Sequence, residues 1–137
     1  MKITIVGTGY VGLITGTCFA NAGNDVVCLD IDPKKVATLQ KGEAPFFEPG
    51  LSEMMTKSIN ANRLQFTDDA STAFDDASII FICVGTPTGK DGRCDLSHVM
   101  GVADSISDAL DSFDTPPTVV VKSTVPVGTT HKVAERL

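Results

Sequence analysis

The feature that most constrains this chain is a glycine-spaced turn, Gly7-Thr8-Gly9-Tyr10-Val11-Gly12, between an apolar run and a helical stretch. The run Ile3-Thr4-Ile5-Val6 reads as a buried strand, and Tyr10 to Ala22 reads as a helix ended by Gly23. A G-x-G-x-x-G pattern is informative only in this strand–turn–helix setting. Gly7 permits the tight turn, Gly9 lets a pyrophosphate approach the backbone, and Gly12 lets the helix pack closely. The helix N-terminus then offers unpaired N–H groups and the positive end of its dipole to phosphate oxygens.

The second apolar run, Val26 to Leu29, ends at Asp30. A carboxylate at that point accepts hydrogen bonds from the ribose hydroxyls of a dinucleotide and repels a 2′-phosphate, so NAD is expected over NADP. Asp32 is an N-cap and Pro33 suits the first helical position, which predicts a helix from Pro33 to Lys41 closed by Gly42. Lys35, one turn in, is placed to reach the same ribose or to help neutralise the pyrophosphate.

Further along, Ala44 to Gly50 is a connection holding Pro45 and Pro49, and a helix is predicted over Gly50 to Asn60. Leu64-Gln65-Phe66 is a short strand, and Thr67 is expected to cap a helix through Phe74. Ile79 to Val84 reads as a central strand, apolar on both faces. Asp95 is expected to cap a helix to Leu110, Thr118 to Val121 is a fifth strand, and the chain is expected to end inside a helix. Strands alternating with helices imply a doubly wound parallel α/β sheet of the Rossmann type, with helices on both faces. Five strands are predicted, where a full dinucleotide fold commonly has six.

Composition narrows the function classes. With 11 basic and 17 acidic residues, the net charge is −6, which offers no electrostatic footprint for nucleic acid or an anionic membrane. The longest apolar run, Ile79 to Val84, is six residues. Spanning a bilayer takes roughly 18. No signal-peptide pattern opens the chain, so a cytoplasmic setting with reduced thiols is expected. The four cysteines form no Cys-x-x-Cys pair and only two histidines occur, so no metal site is expected. Cys18, Cys28 and Cys83 read as small buried apolar residues, and Cys94, in a loop, as the exposed one. The aspartates at 68–69, 75–76, 104, 108, 111 and 114 read as solvated helix faces and caps.

Ligands of an open parallel sheet sit beyond the carboxyl ends of its strands. Two more loops lie there: Gly85-Thr86-Pro87-Thr88 and Lys122-Ser123-Thr124-Val125-Pro126-Val127-Gly128. Both place hydroxyls where the nicotinamide half of a dinucleotide is expected.

Taken in order, Gly7 to Gly12, Asp30-Ile31-Asp32, Glu48-Pro49-Gly50-Leu51, Val84 to Thr88 and Lys122 to Gly128 resemble the N-terminal domain of the UDP-glucose/GDP-mannose dehydrogenases, over essentially the whole chain. The resemblance implies an NAD-dependent, four-electron oxidation of a sugar C6 alcohol to a carboxylate, with two hydrides passed to two NAD molecules. It implies that Gly7, Gly9, Tyr10, Val11, Gly12, Asp30, Lys35, Thr86 and Thr124 contact the cofactor. It also gives Thr124 an assisting part in catalysis, near the reacting oxygen. Val125 to Gly128 leans toward UDP-glucose as substrate; GDP-mannose and UDP-N-acetylhexosamines are the alternatives.

None of the four cysteines matches the nucleophile of such enzymes, and neither His98 nor His131 is expected to act as a base. Residues 1–137 are therefore expected to be one NAD-binding domain of a longer enzyme, inactive alone. The UDP-sugar pocket, central helix and substrate domain, and the contacts of a homodimer or higher oligomer, are expected elsewhere. A non-catalytic NAD-binding module is the alternative from a different class.

Overall fold

A computed structural model describes residues 1–137. Five strands form one sheet: β1 (Lys2–Val6), β2 (Asp25–Leu29), β3 (Leu64–Thr67), β4 (Ile79–Ile82) and β5 (Thr118–Val121). Six helices connect and flank them: α1 (Tyr10–Asn21), α2 (Pro33–Leu39), α3 (Leu51–Asn60), α4 (Ala70–Phe74), α5 (Ser97–Ala109) and α6 (Thr129–Ala134). The strand order is β3-β2-β1-β4-β5, and every pairing is parallel. The order reverses between β1 and β4, and a crevice at such a reversal is where doubly wound sheets bind ligands.

Period-2 alternation divides the core between the two faces. Ile3 and Ile5 of β1 join Leu13, Val26, Cys28, Leu39, Met55 and Phe66 in one cluster, beneath α1, α2 and α3. Val6, Val27 and Leu29 join Phe74, Ile80, Ile82, Val99, Ile106 and Val133 in the other, beneath α4, α5 and α6. Thr4 is fully buried on the second face, and its hydroxyl is satisfied by the carbonyl of Ala73. Helix α1 lies unusually close to β2, because a Cβ built on Gly16 would stand 2.7 Å from Cys28 Sγ. That glycine is a close-approach site outside the G-x-G-x-x-G pattern.

Several element ends differ from the sequence reading. The fourth strand stops at Ile82, not Val84. Cys83 still donates to the carbonyl of Val6 at 2.8 Å, but the next residue along β1 is Gly7, whose φ of +98° turns the chain out of register. Helix α4 is capped by Asp69, whose carboxylate accepts from the N–H groups of Ser71 and Thr72, while Thr67 is held in β3 opposite Leu29. Asp95 accepts from Ser97 N–H at 2.9 Å, as a cap does, yet α5 begins at Ser97 and gives way after Ala109 to a 3-10 turn, Leu110–Ser112. Helices α1 and α2 close at Asn21 and Leu39, ahead of the left-handed glycines 23 and 42. Helix α6 ends at Ala134 and the chain does not end inside it, because the last turn tightens to an Arg136 N–H to Val133 carbonyl bond.

The expected burial of Cys18 is also corrected. Cys28 and Cys83 are buried under α1 and Cys94 is half-buried, but Cys18 is exposed on the outer side of α1. The acidic groups at 68–69, 75–76, 104, 108, 111 and 114 are all exposed. No helix is long and apolar enough to cross a membrane.

Candidate functional site

The site is built at the carboxyl ends of β1, β2 and β4. Gly7 donates its N–H to the carbonyl of Leu29 at 2.8 Å, which ties the start of the turn to the end of β2. A Cβ on Gly7 would meet the carbonyl oxygen of Cys83 at 2.8 Å, and the +98° φ is one L side chains rarely adopt. A Cβ on Gly12 would stand 1.9 Å from the carbonyl oxygen of Gly7. The third glycine of the pattern therefore seats the helix on the turn itself, with Cys83 Cβ next at 3.1 Å. Gly9 is different. Nothing lies within 4 Å of its Cβ position, so its open side is free for a ligand to approach. The first helical bond of α1 runs from Leu13 N–H to the Gly9 carbonyl, leaving the amides of Gly9, Tyr10, Val11 and Gly12 for an anion.

Asp30 stands just beyond β2 with its side chain 11% exposed. Its Oδ2 accepts from the N–H of Thr8 at 3.0 Å, from the hydroxyl of Thr8, and from Lys35 Nζ at 2.7 Å. Its Oδ1 accepts from the N–H of Asp32 at 3.2 Å. Burial pushes the Asp30 carboxyl up, but the bonds from Lys35, Thr8 and Asp32 together outweigh it and hold it below its ordinary value. Asp30 is thus an ionised acceptor at neutral pH. Lys35, placed by Asp32 at the N-cap of α2, sits on this carboxylate.

These groups line a groove of about 550 Å³. Gly7, Thr8, Gly9, Asp30, Ile31 and Lys35 form one wall; Val84, Gly85, His98, Val102 and Ser105 belong to the other. Ile31 is 91% exposed although strongly apolar, beside Asp30, where a flat apolar ring of a nucleotide could cover it. The volume is within the usual range for small-molecule sites, and the donors suit a dinucleotide: open backbone for phosphates, a carboxylate for a ribose diol, apolar walls for a base.

The remaining expected residues lie apart from this wall. Thr86 Oγ1 donates to the carbonyl of Thr124 at 2.8 Å, joining the loops after β4 and β5 to each other. Ser123 Oγ reinforces the junction by donating to the carbonyl of Val84 at 2.8 Å. Tyr10 and Val11 are exposed on the first turn of α1. Tyr10 OH donates to Glu48 Oε2 at 2.8 Å and its ring packs on Phe46 with centroids 5.0 Å apart, so this side chain anchors the Ala44–Gly50 connection. His98 Nδ1 lies 3.2 Å from the Gly85 carbonyl, a role in holding the loop rather than in proton transfer. Burial pushes the thiols of Cys28 and Cys83 up, that of Cys83 to about 11, so neither is a nucleophile near neutral pH.

Sequence reasoning did not single out Thr8, Ile31 or the α5 wall. A signal for α5 existed: Ser97, Gly101 and Ser105 recur at four-residue spacing and make one small-residue stripe along the helix.

Comparison with known proteins agrees with this geometry. Residues 1–137 match the model of the UDP-glucose/GDP-mannose dehydrogenase family, NAD binding domain. The UDP-glucose 6-dehydrogenase of Rhizobium meliloti is 49% identical over 134 residues, covering 97% of this chain and 30% of that protein. The UDP-glucose 6-dehydrogenase of Pseudomonas aeruginosa is 46% identical, covering 98% of this chain and 29% of its own length. Among solved structures, a ternary complex of GDP-mannose dehydrogenase from Pseudomonas aeruginosa superposes with a TM-score of 0.93 at 37% identity, over 97% of this chain and 30% of that one. A UDP-glucose dehydrogenase from Pyrobaculum islandicum gives 0.90 at 36% identity, over 98% of this chain and 32% of that one. The chain thus spans about 30% of the length of these relatives. On the match over residues 1–137, this chain belongs to the UDP-glucose/GDP-mannose dehydrogenase family, as its NAD binding domain.

Proposed function

We propose that residues 1–137 serve as the cofactor half of a UDP-glucose 6-dehydrogenase, holding NAD while the sugar nucleotide is oxidised to UDP-glucuronate. The single observation that carries the reading is Asp30, clamped by Thr8 and Lys35 on the groove wall that also carries the open backbone of Gly9. When bound, NAD supplies a hydride acceptor. The chain's own residues bind and orient. Gly7, Gly9 and Gly12 shape the phosphate turn, the amides of Tyr10 and Val11 open the helix toward it, and Asp30 takes the ribose hydroxyls with Lys35 beside it. Thr86 and Thr124 lie in the two linked loops that would flank the nicotinamide, and Thr124 would assist at the reacting oxygen.

The thiol that traps the aldehyde, most of the UDP-sugar pocket and the contacts of a homodimer or larger assembly would lie outside these residues. Supporting this division, relatives matched here are about three times as long as the segment they share with this chain, and its own two buried thiols are held protonated. UDP-glucose is favoured by the named bacterial relatives. GDP-mannose is the second reading, favoured by the GDP-mannose dehydrogenase structure that superposes at 0.93. Calorimetric titration of the chain with NAD tests the cofactor claim: saturable binding is expected, and no heat or saturation at millimolar NAD would sink it. A longer protein carrying this chain, assayed for NADH formation with UDP-glucose and GDP-mannose side by side, separates the two substrates.

A further inference from the structure

Thr8 fills the first variable position of the glycine turn, where a side chain has no part in the turn geometry itself. It is nonetheless fully buried. Both of its donors are spent on one atom: the N–H and the hydroxyl of Thr8 each donate to Asp30 Oδ2. Lys35 Nζ occupies the same oxygen. A carboxylate oxygen offers about two lone-pair sites, so three donors exhaust Oδ2. Oδ1 carries only the N–H of Asp32 at 3.2 Å and is the oxygen with acceptor capacity left for a ribose hydroxyl.

This matters because the charges nearby are not all hostile to a phosphate. Lys35, in the first turn of α2, holds its ammonium 2.7 Å from the carboxylate. If the Asp30 side chain rotated away, that ammonium would be left unpaired and would favour a 2′-phosphate. The barrier to that exchange is the fixed position of one carboxylate, and the fixture is a buried hydroxyl in a neighbouring strand's turn.

We propose that Thr8 is a positioning residue that sets cofactor specificity: its hydroxyl pins Asp30 so that Oδ1 faces the ribose, and the chain takes NAD and turns NADP away despite the ammonium of Lys35 beside it. The proposal rests on the reading that Asp30 meets the ribose of NAD. Removing the hydroxyl frees one of the three bonds on Oδ2, and Asp30 then samples rotamers that leave Lys35 open.

The test compares the chain with Thr8→Val, which keeps volume and loses the donor, and with Thr8→Ser, which keeps the donor; Thr8→Ala stands in if the valine variant does not fold. Affinities for NAD and for NADP are measured by titration calorimetry, with Tm as a check on folding. Thr8→Val is expected to weaken NAD about 3- to 10-fold and to narrow the NAD-over-NADP preference by at least as much, part of the worth of a charged hydrogen bond. Thr8→Ser is expected to stay within about 2-fold of the parent in both affinities. A folded Thr8→Val with an unchanged NAD-to-NADP ratio would overturn the proposal, as would a folded Thr8→Ser that behaves like the valine variant. Absence of NAD binding by the parent chain would instead defeat the cofactor reading, and the inference with it.

Discussion

The two ends of the expected cofactor site are built differently. At the end formed by β1, β2 and α2, Asp30 receives four hydrogen bonds, and Gly7 and Gly12 are seated against backbone. At the end formed by the loops after β4 and β5, one exposed bond from Thr86 to the Thr124 carbonyl joins the loops, Ser123 ties one to the other's base, and Val127 is fully exposed. A bond in a partly buried, crowded setting is stronger and its geometry is enforced, whereas an exposed bond competes with water. The first end is preorganised within this chain. The second is a pair of exposed loops tied to each other by few bonds.

That contrast makes mutational effects at the two ends unequal. The largest is expected at Gly12→Ala. The new methyl would overlap the carbonyl of Gly7, and backbone lies on both sides of the clash, so a loss of about 3 kcal/mol or more is expected. Urea denaturation measures it, and NAD binding should vanish with it. Wild-type stability in this variant would break the claim that α1 is seated on the turn.

Next comes Asp30→Ala, which should weaken NAD by about 1–3 kcal/mol, roughly 5- to 150-fold, with a smaller effect on NADP. The carboxylate also links pH to stability. Its folded-state pKa lies below its ordinary 3.8, so its contribution is complete above that value and disappears as pH falls through the lower folded value. Urea unfolding of the parent and of Asp30→Asn across acid pH isolates this term. The parent's advantage should be constant near neutrality and shrink only below about pH 4. An advantage that shrinks instead between pH 5 and 7 would contradict an ionised, clamped Asp30.

Smaller effects belong to the open end. Thr86→Val removes the loop-to-loop bond and should cost about 1 kcal/mol or less in stability. Its effect on NAD affinity should be smaller than that of Asp30→Ala; an equal loss would erase the contrast between the ends. Smallest of all, Tyr10→Phe deletes an exposed bond to Glu48 and leaves the ring on Phe46, so stability should change by about 0.5 kcal/mol or less in thermal melts.

The same contrast separates what the sequence could show from what it could not. The glycine turn, Asp30 and the parallel sheet were legible, because backbone geometry demands glycine, a strand end demands a particular residue type and strands alternating with helices demand parallel pairing. Strand and helix ends were read to within a few residues. Ile79 to Val84 looked continuous in hydropathy, but register with β1 ended the strand at Ile82, and hydropathy carries no register. Thr67 and Asp69 both look like caps; only the pairing of Thr67 with Leu29 decides between them. Cys18 reads as apolar in composition, and its exposure follows from which face of α1 turns outward, where small residues blur the helical period. Thr8 was silent because its partner is distant in sequence: a buried hydroxyl bonded to a carboxylate 22 positions away leaves no local pattern.

The central claim is that NAD is held through the β1–α1 turn with Asp30 on the ribose. Calorimetric titration of NAD into the chain and into Asp30→Ala, both checked for folding by circular dichroism, tests it most directly. Saturable binding by the parent and at least a several-fold loss in the variant are expected. No saturation in the parent at millimolar NAD, or equal affinity in a folded variant, would contradict it.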